Sequence, residues 1–365
     1  MTRPEAGSAG GPGAHEVMHG GLGERERELA AAAGVEVVDL SANLHPDGPP
    51  AEVLDALRNA DIGRYPPVDA GPLRDAIAAL HRVPPECVIV TPGASAAIYL
   101  ALAALVAPRD RCATVLPTFG EYERAIVAAG GAVVRHVAPP PAFDLAAALD
   151  GARGEVEVAV LCHPNNPTGL AARREDVERL LAWTRYLLID AAYEPLAERG
   201  GAGAWEAAGL VREGAPVVVV HSLTKLFAMP GIRLGYAIAP PSIAAMLRGR
   251  QAPWPIGSAD MAAGLRAVAG IETRLSTLPA LHDRRRRLER ALAEHGIRTT
   301  ASTTNFVLAE VGDAPAFRSA LLARGFAVRD ATSFGLPAWV RIAVPSEAVM
   351  APLVQAIAAT LVGAR

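Results

Sequence analysis

Lys225 stands at the exit of an apolar run in PVVVVHSLTKLFAMPGIRLGY, residues 216–236. Val217 to Val220 reads as a buried β-strand. Ser222, three residues before the lysine, and Arg233, eight after it, bring a hydroxyl and a guanidinium. Pro230 and Gly231 break the chain between them, and Leu234 to Ala239 reads as a second strand. A lysine so placed can hold pyridoxal phosphate covalently on Nζ or bind a substrate anion, and Ser222 and Arg233 suit a phosphate. The alternative is a lysine solvated in a loop.

Other chemistry-bearing residues follow other apolar runs. Cys87 to Thr91 leads through Pro92-Gly93-Ala94-Ser95 into an apolar helix, Ala96 to Ala107. Free backbone N–H groups at such a helix start, with the Ser95 hydroxyl, make a phosphate site, or else an ordinary turn capped by Ser95. Ala113 to Leu116 is followed by Phe119, Val156 to Cys162 by HPNNPTG at 163–169, and Tyr186 to Ile189 by Asp190 and Tyr193. Strands alternating with helices predict a largely parallel sheet covered on both faces. Right-handed crossovers then bring the strand ends to one edge, with Ser95, Phe119, Asn166, Asp190 and Lys225 together. Taken singly, Asp190 could be a strand-end turn residue, Asn166 a connection and Phe119 core filler. Arg341, between Val340 and Ile342, needs an anion if it faces inward; Arg329 reads equally well as a surface residue.

Beyond Ala239 the pattern changes to helices at 242–250, 258–275 and 278–294, strands at 306–310, 327–330 and 339–344, and helices at 315–324 and 346–361. The predicted organisation is a disordered tail over 1–17 and an N-terminal segment, 18–50, that packs on a small domain. That segment holds a charged helix near 24–33 and a strand at 35–40. A large domain follows over 51–240, its end and a linker helix over 241–275, and the small α+β domain over 276–365. The 365 residues are 51% hydrophobic and 20% charged, with a formal charge of −3. This balance suggests no nucleic-acid surface. The basic run Arg284 to Arg287 reads as a solvated helix face. Cys87, Cys112 and Cys162 have no metal or disulfide spacing and read as buried hydrophobes. With no signal pattern and no long apolar span, the expected location is cytoplasmic, without membrane or nucleic-acid partners.

The ordered set HPNNPTG (163–169), DAAY (190–193) and SLTKLFAMPGIRLGY (222–236) resembles the fold-type I pyridoxal-phosphate enzymes of the class I/II aminotransferase group over nearly all of residues 18–360. Within that group the likeness runs first to the threonine-phosphate decarboxylases of cobalamin biosynthesis, on HGG (19–21), SANLHPDGPP (41–50), GRYPP (63–67) and SLTKLFAMPG (222–231). Histidinol-phosphate aminotransferases come next. Leu22, His45 and Asp47 depart from the residues usual in the decarboxylases.

The resemblance implies an α/β fold with a mainly parallel seven-stranded sheet in the large domain, a smaller α+β domain, and pyridoxal 5′-phosphate as cofactor. It implies that Lys225 carries the cofactor and that Asp190 pairs with the ring nitrogen. Asn166 and Tyr193 would bond the ring hydroxyl oxygen, Phe119 would stack on the ring, and Ala94, Ser95, Ser222 and Arg233 would hold its phosphate. A homodimer would bring Tyr65 across the interface to that phosphate. Arg341 would bind a substrate carboxylate and Arg329 a substrate phosphate, with His19 and Asn43 in the substrate pocket. The implied substrate is a phosphorylated amino acid, L-threonine O-3-phosphate, decarboxylated to (R)-1-aminopropan-2-yl phosphate; the alternative is amino transfer on histidinol phosphate or another amino acid. No metal is expected.

Overall fold

The structure, a computed structural model, describes residues 36–150, 156–198 and 205–362, with 21–24, 27–28 and 34. The expected tail, most of the helix near 24–33, and His19 lie outside the described residues.

The first strand, β1 (Val38–Asp39), joins a small sheet taken up below. The central sheet has seven strands: β2 (Val88–Thr91), β3 (Arg111–Leu116), β4 (Ala132–Val137), β5 (Val156–Cys162), β6 (Thr184–Asp190), β7 (Val217–Ser222) and β8 (Gly235–Ile238). Their order is β2-β8-β7-β6-β5-β3-β4. From β4 to β7 every pairing is parallel, whereas β8 runs antiparallel to both β7 and β2. The link between β7 and β8 carries only a four-residue helix, Leu223–Leu226, and turns back instead of crossing over.

The valine run shows why these strands are continuous apolar stretches. Val217 and Val219 pack in one core layer with Leu187 and Ile189, while Val218 and Val220 pack in the opposite layer with Leu188 and Val160. With both faces covered, every residue of β7 is buried.

A second core gathers behind β9 (Phe306–Glu310), β10 (Phe326–Ala327), β11 (Arg329–Asp330) and β12 (Trp339–Ala343). Three of these strands form an antiparallel sheet in the order β11-β12-β9, and β10 pairs with β1. Leu40 N–H donates to the Ala327 carbonyl at 2.8 Å, and the Leu40 carbonyl accepts from Ala343 N–H at 2.9 Å. The N-terminal chain is thus laced to the C-terminal sheet.

Several expected elements differ in detail. The strand at 35–40 shortens to β1, and the strand at 327–330 divides around Val328 so that its halves serve two sheets. The helix at 258–275 breaks at Gly270, a weak helix former, into Ser258–Ala269 and Ile271–Leu275. Arg284 and Arg285 are buried, a correction to the solvated face expected for the basic run. Arg284 grips Asp47 with both Nη atoms at 2.8 and 3.2 Å, and Arg285 pairs with Glu198 and Glu289. Buried guanidinium groups require such partners. His81 is paired with Tyr236 Oη through Nε2 at 2.8 Å. The three cysteines are buried. Among the described residues no helix is long and apolar enough to cross a membrane.

Candidate active site

Parallel register places the ends of β5, β6 and β7 side by side: Cys162 lies opposite Asp190, and Asp190 opposite Val220. Asp190 is therefore delivered to the sheet edge beside the short helix that bears Lys225. Its carboxylate is buried. Oδ2 accepts from the Tyr122 hydroxyl at 2.6 Å and Oδ1 from Ala192 N–H at 3.0 Å. Burial pushes the Asp190 pKa up, while the Tyr122 and Ala192 hydrogen bonds and the Lys225 charge pull it back. Lys225 Nζ lies 5.9 Å from the centre of the Tyr193 ring, and Asn43 Nδ2 donates to Tyr193 Oη at 3.2 Å. Phe119, half-buried, meets Tyr122 edge-on with ring centres 5.6 Å apart.

A second cluster forms where β2, β7 and β8 meet the helix Ala94–Leu105. Gly235 pairs with Thr91 on one side and Ser222 on the other. A Cβ on Gly235 would stand 2.4 Å from the Ala94 amide nitrogen. Glycine is thus what lets this strand close on the helix start. Gly93 has φ 92°, and a Cβ there would fall 2.9 Å from Arg233 Nη2. Gly93 is the N-cap and has no side chain to cap the helix, so the first-turn amides of Ala94 and Ser95 stay open beside the Arg233 guanidinium and buried Ser222.

A third set arrives from distant chain segments. Arg341 on β12 is buried among the neutral groups Asn166 Oδ1 and the Ser41 carbonyl, the latter 2.7 Å from Nη2. Burial lowers its pKa to about 10; Tyr193 and Asp39 oppose the shift and Arg329 adds to it. Arg329 sits directly across the ladder from Arg341. It donates to Ser333 Oγ at 2.7 Å and lies over the Phe334 ring at 5.6 Å.

Contacts and charge thus link Asn43, Tyr193, Lys225 and Asp190, and Asn166 with Arg341, while Ala94, Ser222 and Arg233 meet at the helix start; Tyr65 is in none of these groups. Tyr65 is 85% exposed and faces Trp254, ring centres 5.2 Å apart. His45 and Asp47 turn from the pocket toward the C-terminal body. His45 Nε2 bonds Thr277 Oγ1 at 2.9 Å, its backbone N–H donates to the Lys225 carbonyl at 3.1 Å, and Asp47 holds Arg284. These departures from the decarboxylase pattern lace the N-terminal segment down instead of lining the substrate space.

Sequence reasoning missed Tyr122, although it falls three residues after Phe119, across the turn that opens the helix Glu121–Ala128. It also missed the Ser41 carbonyl, which has no sequence signal. A cavity of about 410 Å³ beside β3 and β5 has Phe143, Thr168 and Arg173 in its lining and does not include Lys225. Side-chain chemistry, not cavity size, marks the site.

The aminotransferase class I and II family matches residues 35–357, and the chain belongs to that family. A histidinol-phosphate aminotransferase of Granulibacter bethesdensis is 31% identical over 328 residues, 85% of this chain and 86% of the relative. That of Symbiobacterium thermophilum is 29% identical, covering 89% and 91%. The crystal structure of L-threonine-O-3-phosphate decarboxylase from Porphyromonas gingivalis superposes with a TM-score of 0.78 at 24% identity, covering 88% of this chain and 98% of that one, a likeness of fold.

The protein is a pyridoxal-5′-phosphate enzyme of this family. Its residues fit the group. Gly93 and Gly235 keep clear a cradle of open amides beside Arg233, suited to a phosphate. Asp190 offers a buried carboxylate to a protonated ring nitrogen, and Lys225 lies close enough for its charge to act on that carboxylate.

Proposed function

We propose that the protein works at the amino-bearing carbon of a small substrate with two anionic ends, and that it transfers the amino group as the histidinol-phosphate aminotransferases do. The observation carrying the substrate class is the pair Arg329 and Arg341, two buried guanidinium groups abreast on neighbouring strands. Among the described residues, the hydrogen-bond partners of Arg341 are neutral, and its Nε is unpartnered. A substrate carboxylate supplies the missing negative charge, and a phosphate or second carboxylate would lie against Arg329. The relatives at 28–31% identity support amino transfer as the reaction.

Lys225 would carry the cofactor on Nζ, with Asp190 at its ring nitrogen, Asn166 and Tyr193 at its hydroxyl oxygen, and Phe119 against its face. Ala94, Ser95, Ser222 and Arg233 would hold its phosphate. Tyr65 would complete that phosphate site only from a second copy of the chain, which makes the working unit a homodimer. When bound, the cofactor supplies an electron sink for the charge left as a bond to the amino-bearing carbon breaks. Lys225 Nζ, freed when the substrate amine takes its place, would take the proton from that carbon and return it to the carbon that Nζ had been bonded to, on the far side of the amino nitrogen. Arg341 orients the carboxylate, and so decides which bond stands perpendicular to the ring plane.

The second reading is decarboxylation of L-threonine O-3-phosphate. It is favoured by the stretch 41–50, which carries that likeness and also touches the site through Ser41 and Asn43. There Arg341 would turn the carboxylate itself perpendicular, and Lys225 would protonate the carbon after CO2 leaves.

One substrate panel, assayed two ways, decides. Amino transfer between histidinol phosphate and a 2-oxo acid, without CO2 release, is the expected outcome. CO2 from threonine phosphate with no 2-oxo acid added would replace the first reading by the second. Neither activity, in protein that carries cofactor on Lys225, would remove both.

A further inference from the structure

The geometry points to Tyr122 as a positioning residue, whose hydroxyl holds the Asp190 carboxylate in one orientation and in its anionic form for the cofactor ring nitrogen. The inference rests on the role proposed above for Asp190.

Tyr122 is fully buried, and its hydroxyl donates to Asp190 Oδ2 at 2.6 Å. Ala192 N–H takes the other carboxylate oxygen at 3.0 Å, so each oxygen has one donor and the carboxylate plane is set from both sides. The two donors come from different parts of the chain, the helix Glu121–Ala128 and the turn after β6. Phe119, one turn before Tyr122, lies edge-on to the same ring. The aromatic body of Tyr122 fills core that a phenylalanine would fill equally well; only the hydroxyl needs a separate explanation, and the carboxylate provides it.

The chemistry follows from the depth of the site. A buried carboxylate left to itself favours the protonated form. Beside a pyridine nitrogen it would then keep the proton that the ring needs as an electron sink. One O–H donor and one N–H donor favour the anion instead, leaving the proton on the ring. Burial drives the Tyr122 pKa well above its ordinary value, with the Asp190 charge and Cys162 adding to the shift, so the phenol remains a donor throughout the working pH range. Cys162, across the ladder from Asp190, is likewise held as a thiol by burial and donates to the Pro164 carbonyl at 3.4 Å. It does not compete for the role.

The test uses holoenzyme loaded with pyridoxal phosphate labelled with 15N in the ring. In Tyr122→Phe the ring signal is expected to move toward that of unprotonated pyridine. Loss of one hydrogen bond to a charged group should lower kcat about ten- to a hundred-fold with KM nearly unchanged. In an Asp190→Asn background the same substitution should cost almost nothing more, because Tyr122 acts through the carboxylate. An unmoved ring signal with kcat within about two-fold of wild type would overturn the inference. So would a Tyr122→Phe effect that multiplies in full onto Asp190→Asn. A measurement on the unaltered protein guards against a variant that does not fold: the Tyr122 phenolic proton should give a protected downfield signal that shifts on cofactor binding, and its indifference to cofactor would count equally against the inference. If wild-type protein yields no borohydride-trapped adduct at Lys225, the reading of the site fails first, and that result is separate from all of these.

Discussion

The two halves of the site are built in opposite ways. The half proposed to hold the cofactor uses neighbours: Asp190, Ser222 and the start of the helix Ala94–Leu105 are brought together by strands that pair directly, β6 with β7, β7 with β8, and β8 with β2. The substrate half uses strangers. Arg341 reaches back across the chain to Ser41 and Asn166, from a different sheet. Strand pairing makes the first half rigid at little extra cost. The second holds only while the N-terminal segment, the HPNNPTG turn and β12 stay docked together, and it meets the first through Asn166 and Tyr193.

Lys225→Ala tests the cofactor half most severely. It should lower activity by about 10²–10⁴-fold and abolish the borohydride-trapped adduct; an undiminished adduct elsewhere on the chain of that variant would break the assignment. On the substrate half, Arg341→Ala should raise KM by ~30-fold or more while cofactor affinity stays near wild type. Kinetic constants that do not change would remove Arg341 from the pocket. Gly235→Ala should do the reverse, since its Cβ would press on the Ala94 amide from 2.4 Å. A loss of about 1–3 kcal/mol in stability and weaker cofactor binding are expected, read by thermal melts and by titration with pyridoxal phosphate.

Acid should loosen the whole. Burial, the largest cause in each case, lowers the pKa of His45, His163 and His282 to about 4. The unfolded chain binds these protons below about pH 6.5, the folded protein only near pH 4, so the unfolded state holds more protons in between. Stability should therefore fall as pH drops from about 6.5 to about 4, beyond the contribution of the carboxylates. Replacing His45 by Gln should flatten part of that fall in a series of melts, and an unchanged slope would contradict the shift. The smallest effect belongs to Asp47→Ala. Asp47 is 42% exposed on its side chain, and loss of its bond to Arg284 should cost about 0.5–1 kcal/mol. If the N-terminal segment serves the substrate half alone, KM should move in this variant while the cofactor dissociation constant does not.

Most of the central sheet was legible because each strand is a continuous apolar run punctuated by Gly, Pro or a polar residue. Val156 to Cys162 could be bounded from its run alone. The antiparallel course of β8 was not, since nothing local tells a strand which way its neighbour runs. The small sheets were harder to read because the stretch 326–330 splits between two of them at one buried valine, Val328. Arg284 and Arg285 looked solvated because charge runs usually are; their burial depends on Asp47, Glu198 and Glu289 arriving from elsewhere.

By itself the sequence determined the chemistry available: a lysine, an aspartate and an asparagine at the ends of apolar strands, glycines at the helix start, and two arginines near the C-terminus. Strand length, periodicity and turn residues act over a few positions, and they suffice to put the lysine, the aspartate and the asparagine on one sheet edge. The tertiary structure alone decided which groups became partners: Tyr122 with Asp190, Ser41 with Arg341, Asp47 with Arg284. Such pairings are contacts between segments far apart in the chain, and they are selected by burial, which leaves a charged or polar atom no stable state without a partner.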